Sequence, residues 1–245
     1  MNPPPQTIRR PYRVVSNIEI AKGILQVILE PVDPDNRIPP FEAGQWVSLH
    51  LLNENGSVWA KCPYSVANAP QEVERDNRIE LGIKVFGDFT KRVQTLKAGD
   101  VADLQGPFGA FTLAPSPRAV FFAGGIGITP IRSMIRHARY AYPSMDATLF
   151  YSVRDVAQSV YGEEFERLAA EWGSFRLITK SPCVADPNEP GGFGGVDEAF
   201  LDRTIGEYAN TEYYLCGPKD FMDKLTAFLH TRGVDSASIH QERFS

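Results

Sequence analysis

Cysteine, histidine and tryptophan are all scarce in this chain of 245 residues, with 3, 4 and 3 copies. Cys62, Cys183 and Cys216 are odd in number and far apart, which excludes a disulfide framework and a cysteine zinc site. Three scattered thiols also cannot hold an iron–sulfur cluster in its usual four-cysteine arrangement. His50, His137, His230 and His240 are equally dispersed, so no metal centre is expected and each reads as a surface or packing residue. Basic charge is lacking too: 25 Lys and Arg against 30 Asp and Glu leave a net charge of -5 with no basic stripe, which argues against nucleic acid as a partner. No run approaches the ~20 apolar residues that span a bilayer. The proline-rich start, Met1–Gln6, has no apolar signal core, so the cytoplasm is the expected compartment. No internal repeat is visible.

What is present is enough apolar material, 43% hydrophobic and 11% aromatic, for one large core or two of ordinary size. The texture changes near Pro115-Ser116-Pro117. Before it, alternating segments such as Leu25–Leu29, Trp46–His50 and Arg78–Val85 read as strands separated by turn-rich pieces like Asp33-Pro34-Asp35-Asn36, the pattern of an antiparallel barrel. After it, the apolar runs Ala119–Phe122 and Thr148–Tyr151 alternate with helical patterns over Ile131–Tyr140 and Glu163–Trp172, as in a doubly wound parallel sheet. The expected fold is therefore two domains, a β-barrel over 8–114 and an α/β unit over 118–245. One biased segment, Ala185–Gly195, has the composition of a flexible surface loop.

Two glycine-centred stretches carry the chemistry. In Ala123-Gly124-Gly125-Ile126-Gly127-Ile128-Thr129-Pro130, an apolar run leads through glycines into a helical pattern. Gly124, Gly125 and Gly127 allow a sharp turn and a close approach to a pyrophosphate, Thr129 is placed to cap the helix, and Pro130 suits its first position. The helix start would then face the phosphates, where its dipole and unpaired amides favour an anion. Such a turn by itself also serves as a tight connection with no ligand. In Tyr214-Leu215-Cys216-Gly217-Pro218 a small thiol ends a strand beside a glycine that admits a ring. Cys216 reads either as a neighbour of a nicotinamide or as a buried small hydrophobe.

Taken in order, Cys62–Asn68, Gly87-Asp88-Phe89-Thr90, Gly106-Pro107-Phe108-Gly109, Gly124–Pro130, Cys216-Gly217-Pro218 and the closing Ile239–Phe244 resemble the ferredoxin–NADP reductase superfamily, over nearly the whole chain from about Arg13 to Phe244. The resemblance implies a six-stranded antiparallel barrel that binds FAD and a parallel-sheet domain that binds NADH or NADPH, the ligands meeting at the domain interface. It places Tyr64 against the isoalloxazine, Ser65 within hydrogen-bond reach of the flavin, and Cys62, Pro63, Ile83, Lys84 and Val85 around it. Gly87, Asp88, Phe89 and Thr90 match the turn that holds the FAD pyrophosphate, with Asp88 as a helix cap. Thr129 and Cys216 would border the nicotinamide, Gly217 would give it room, Pro218 would follow, and Phe244 would cover the flavin. Tyr64 also fits an ordinary half-buried strand tyrosine, and Phe244 a loose terminal aromatic.

One departure stands out: the family's arginine two places before the tyrosine is Cys62 here, and Lys61 faces the other side of its strand. Ferric reductases and NADPH oxidases share that departure, which implies looser FAD. After the second strand of the nucleotide domain come Ser152, Arg154 and Asp155. Ser152 and Arg154 suit a 2′-phosphate and Asp155 a ribose hydroxyl, which leans to NADH or to loose selectivity. The chemistry implied is hydride transfer from nicotinamide to flavin, without a general acid or base. With no four-cysteine or haem module in the sequence, electrons are expected to go to a separate acceptor: a ferredoxin, a flavodoxin, a partner oxygenase, free flavin or ferric iron. The alternative is an electron-transfer subunit of a larger complex with no turnover of its own.

Overall fold

The structure, a computed structural model, describes residues 8–153, 159–180 and 197–244. The chain divides into two units, Met1–Leu113 with Arg132–His137 and Ala114–Ile131 with Ala138–Ser245.

In the first unit β1 (Arg10–Ala21), β2 (Ile24–Pro31), β3 (Trp46–Leu52), β4 (Val58–Ser65), β5 (Ile79–Lys84) and β6 (Val101–Phe108) form one sheet in the order β4-β3-β6-β1-β2-β5. Every neighbouring pair is antiparallel. A bridge between Val66, just past β4, and Leu81 of β5 joins the two edges and closes the six strands into the expected barrel. β1 serves two neighbours, β2 along its length and β6 at Arg10–Arg13, and bulges after Val14 and Glu19 let it bend between them. β2 shows why the register holds: Leu25, Val27 and Leu29 are buried while the residues between them are half-exposed. Each such side chain contributes about 1.5–3 kcal/mol on burial, so a one-residue slip would forfeit all three.

β5 departs from alternation. Ile79, Leu81 and Ile83 fill the barrel, but Glu80 on its other face is buried as well. The Glu80 carboxylate accepts from Gln26 Nε2 at 2.6 Å and pairs with Arg132 Nη1 at 2.8 Å, and Arg132 also donates to the carbonyl of Ala67 at 3.0 Å. Helix α1 (Pro70–Asp76) is set by local chemistry: Pro70 leads it, Glu72 accepts the Ala69 N–H at 2.9 Å, and Asn77 ends it in the left-handed region at φ 53°. The buried Glu72 also forms a two-pronged ion pair with Arg136. Helix α2 (Gly87–Gln94) follows β5.

The second unit holds β7 (Arg118–Gly124), β8 (Asp146–Ser152), β9 (Phe175–Lys180), β10 (Glu212–Cys216) and β11 (Ile239–Glu242), all parallel, in the order β11-β10-β7-β8-β9. Helices α3 (Ile128–Ala141), α4 (Gly162–Glu171), α5 (Glu198–Ile205) and α6 (Lys219–Thr231) stand between the strands. β7 and β10 are buried almost throughout, as strands covered on both faces must be. Val120, Phe122, Phe150, Tyr213 and Leu215 meet Leu201, Ile205, Met222, Leu225 and Phe228 in one core. The chain lays β8 and β9 on one side of β7 and β10 and β11 on the other, so the strand order reverses between β7 and β10. Beyond the carboxyl ends of two such strands an open α/β sheet has its ligand crevice. Among the described residues no helix is long and apolar enough to cross a membrane.

Candidate functional site

Both glycine stretches lie at that reversal. Ala123 of β7 pairs in register with Cys216 of β10, which brings Gly124–Gly127 alongside Gly217 and Pro218. The glycines divide into two roles. A Cβ on Gly127 would stand 2.3 Å from the carbonyl oxygen of Cys216, and one on Gly217 would stand 2.9 Å from Gly124 Cα. Gly124, Gly127 and Gly217 are therefore the contact that lets two backbones meet. Gly125 is different, with φ +55° and nothing within 4 Å of its Cβ direction, so it is the glycine whose backbone lies open to a ligand.

The start of α3 corrects one expectation. A 3-10 turn over Gly125–Gly127 runs directly into the helix, so Gly127 occupies the cap and Thr129 and Pro130 are the second and third helical residues. Thr129 is buried and its hydroxyl donates back to the Ile126 carbonyl at 3.1 Å instead of accepting from an amide. Pro130 still lies within the first turn, where its missing N–H costs no helical bond.

Cys216 is fully buried and its thiol is pushed well up by burial, with Glu242 adding to the shift, so it is a neutral packing group whose backbone borders the crevice. Glu242 of β11 pairs in register with it. Burial pushes the Glu242 carboxyl up to about 7, and its Oε2 has no hydrogen-bond partner. Sequence reading gave Glu242 no role, because the feature that marks it, a carboxylate turned inward beside a buried thiol, exists only once β10 and β11 pair. Ser152 ends β8, Pro218 is exposed, and Phe244 is 47% exposed beyond β11. Arg154, Asp155, Cys183 and the 185–195 segment lie outside the described residues.

In the first unit the site residues gather on β4 and α2. Cys62 and Tyr64 are half-buried on one face of β4, while Lys61 and Pro63 point the other way and are exposed. Ser65, at the strand end, is buried, and its hydroxyl has no hydrogen-bond partner among the described residues. The Tyr64 ring stacks against Phe89 of α2 at 6.2 Å between centroids, and burial raises both the Tyr64 hydroxyl and the Cys62 thiol, so both stay neutral. Phe89 in turn stacks on Trp59 at 6.2 Å. Ile83 is fully buried in the barrel, so its side chain is core and cannot touch a ligand, whereas Lys84 is exposed and Val85 half-buried.

α2 corrects two further expectations. Phe86, in extended conformation at φ -158°, is its cap residue, and Asp88 is its second helical residue, so Asp88 does not cap. The Thr90 hydroxyl accepts the Phe86 N–H at 2.7 Å and donates to the Phe86 carbonyl, which turns it into the helix start and commits it there. Gly87, at φ +68° with open space around it, is the exposed backbone of the turn. A flat aromatic ring beside an uncommitted hydroxyl, next to an open glycine turn, fits a flavin nucleotide; a crevice at a strand reversal with an open glycine fits a pyridine nucleotide.

A family model described as oxidoreductase NAD-binding domain matches residues 121–226. The chain is 33% identical over 215 residues to the phenol 2-monooxygenase reductase component DmpP of Pseudomonas sp. (strain CF600), covering 85% of this chain and 59% of that one. Phthalate dioxygenase reductase, solved as a modular structure for electron transfer from pyridine nucleotides to [2Fe-2S], superposes with a TM-score of 0.76 at 25% identity, over 97% of this chain and 68% of that one. The fold and these likenesses are those of the ferredoxin–NADP reductase superfamily. A ferredoxin NADP+ reductase from Neisseria gonorrhoeae with bound FAD and NADP shares the fold at a TM-score of 0.76 and 17% identity, over 96% of this chain and 98% of that one. The chain spans about three fifths of the length of the curated relatives it matches first.

Proposed function

We propose that this chain is an FAD-dependent NAD(P)H reductase that passes electrons to a separate acceptor. The observation that carries the reading is the crevice between β7 and β10, where Gly127 and Gly217 allow backbone contact and Gly125 stays open. The pyridine nucleotide would lie across it, its phosphates at the start of α3 and its ring beside Cys216 and Gly217. FAD would be held by Tyr64 along the ring, by the Ser65 hydroxyl and by the backbone at Gly87. When bound, FAD accepts a hydride from the nicotinamide and releases electrons singly or in pairs. The protein's part is orientation and exclusion of water, and the neutral thiol of Cys216 supplies an apolar wall instead of a proton.

NADH is the expected donor. The acceptor is expected to be a protein of the oxygenase type, on the analogy of relatives named as reductase components. An anaerobic titration of the FAD-supplied protein with NADH and with NADPH tests the reading. Bleaching of the flavin near one equivalent supports it, and a yellow protein that neither coenzyme bleaches overturns it.

A further inference from the structure

A diphosphate beside α2 needs a counter-charge, and the nearest candidates fail to provide one. Cys62 is neutral, and Asp88 already puts a carboxylate in the first turn of the helix. Arg92 is the exception. It stands four residues after Asp88, the spacing of a helical ion pair, yet makes none. Its Nη2 donates to the carbonyl of Leu52 at 2.6 Å, and its Cζ lies 4.7 Å from the centroid of Trp59. Neither Nε nor Nη1 has a partner among the described residues. A cation on one carbonyl and one aromatic face is oriented without being neutralised.

Trp59 is placed for this by the backbone. Leu51 pairs with Ala60 and Leu52 with Val58, so Trp59 is the extra residue of a bulge with no partner on β3. Trp59 is 41% exposed, its ring stacked on Phe89 and capped by Arg92. Helical side chains lean toward the N-terminus, so the Arg92 side chain rises along the face that carries Asp88 and Phe89 in the first turn of α2.

We propose that Arg92, held by Trp59 and the Leu52 carbonyl, is the cation that grips the phosphates of the flavin nucleotide and makes the site prefer FAD to unphosphorylated flavin. The inference rests on the flavin reading above. Apoprotein is titrated with FAD and with riboflavin, following flavin fluorescence at several salt concentrations. Arg92→Gln is expected to weaken FAD roughly 10- to 100-fold, to flatten its salt dependence, and to leave riboflavin affinity unchanged. Arg92→Lys should recover part of the loss, Trp59→Leu should lose FAD affinity several-fold by freeing the guanidinium, and Lys97→Gln controls for net charge. Unchanged FAD affinity in Arg92→Gln, or equal losses for FAD and riboflavin, would overturn the proposal while leaving the reductase reading intact. A wild-type protein that binds no FAD at all would instead overturn that reading, and this inference with it.

Discussion

Gly127→Ala isolates the backbone contact that forms the crevice. Gly127 has φ -59°, a conformation alanine adopts readily, so only packing opposes the change. The new Cβ would meet the Cys216 carbonyl oxygen at 2.3 Å, and reaching the 3.4 Å of ordinary contact requires the two segments to part by about 1.1 Å. Neither side can yield by rotating a side chain, because the obstacle is backbone. Overpacking of this kind costs about 1–3 kcal/mol, a fall in melting temperature of about 2–12 °C. A displacement near 1 Å at a reacting centre also costs on the order of 100-fold in rate, so coenzyme oxidation should fall with it. Gly125→Ala is the comparison: it strains a left-handed residue by about 1–2 kcal/mol but touches nothing, so it should destabilise without shifting β10. Differential scanning calorimetry and NADH saturation curves read both effects. A Gly127→Ala protein that melts and saturates like wild type would refute the argument.

Arg132→Met leaves Glu80 buried with only Gln26 to solvate it and should cost about 3–5 kcal/mol in urea unfolding, whereas Glu80→Gln should cost less; equal effects would mean that the pair is not what holds the charge. Cys216 should resist iodoacetamide in the native protein at pH 8 and react only on unfolding, as peptide mass mapping would show; rapid native labelling would contradict its burial. The Glu242 carboxyl is raised from 4.5 to about 7, so between those values the folded state holds a proton that the unfolded state has released. Stability should therefore decline as pH rises through that window, and Glu242→Gln should flatten the slope; an identical slope in the variant would remove Glu242 as its source.

Much of the architecture was legible because it is written in periods. The alternation of Leu25, Val27 and Leu29 and the apolar run Ala119–Phe122 announce half-buried and fully buried strands without any partner being known. The two glycine stretches likewise marked the strand ends that meet at the reversal. What escaped was whatever depends on contacts distant in sequence. Pro70–Asp76 has no apolar stripe, with Val73 its one buried hydrophobe, and exists through capping by Glu72 and Asn77. Thr129 and Asp88 look like caps by residue type, but both helices are capped two residues earlier, at Gly127 and Phe86, where glycine or extended backbone permits the turn. Trp59 and Arg92 lie more than thirty positions apart and give no linear signal; a bulge in β4 brings them together.

A ribosome delivers this chain in order, and the barrel's six strands are all out by Phe108. Two of its buried carboxylates, Glu72 and Glu80, meet their cations only when Arg136 and Arg132 emerge. Until then the nascent barrel carries two charges that burial penalises, with only the Gln26 amide and the Ala69 N–H to solvate them. Its last stage of folding must wait for a stretch of helix made after the strands are complete, so an N-terminal fragment ending near residue 114 should be markedly less stable than the same strands in the whole chain.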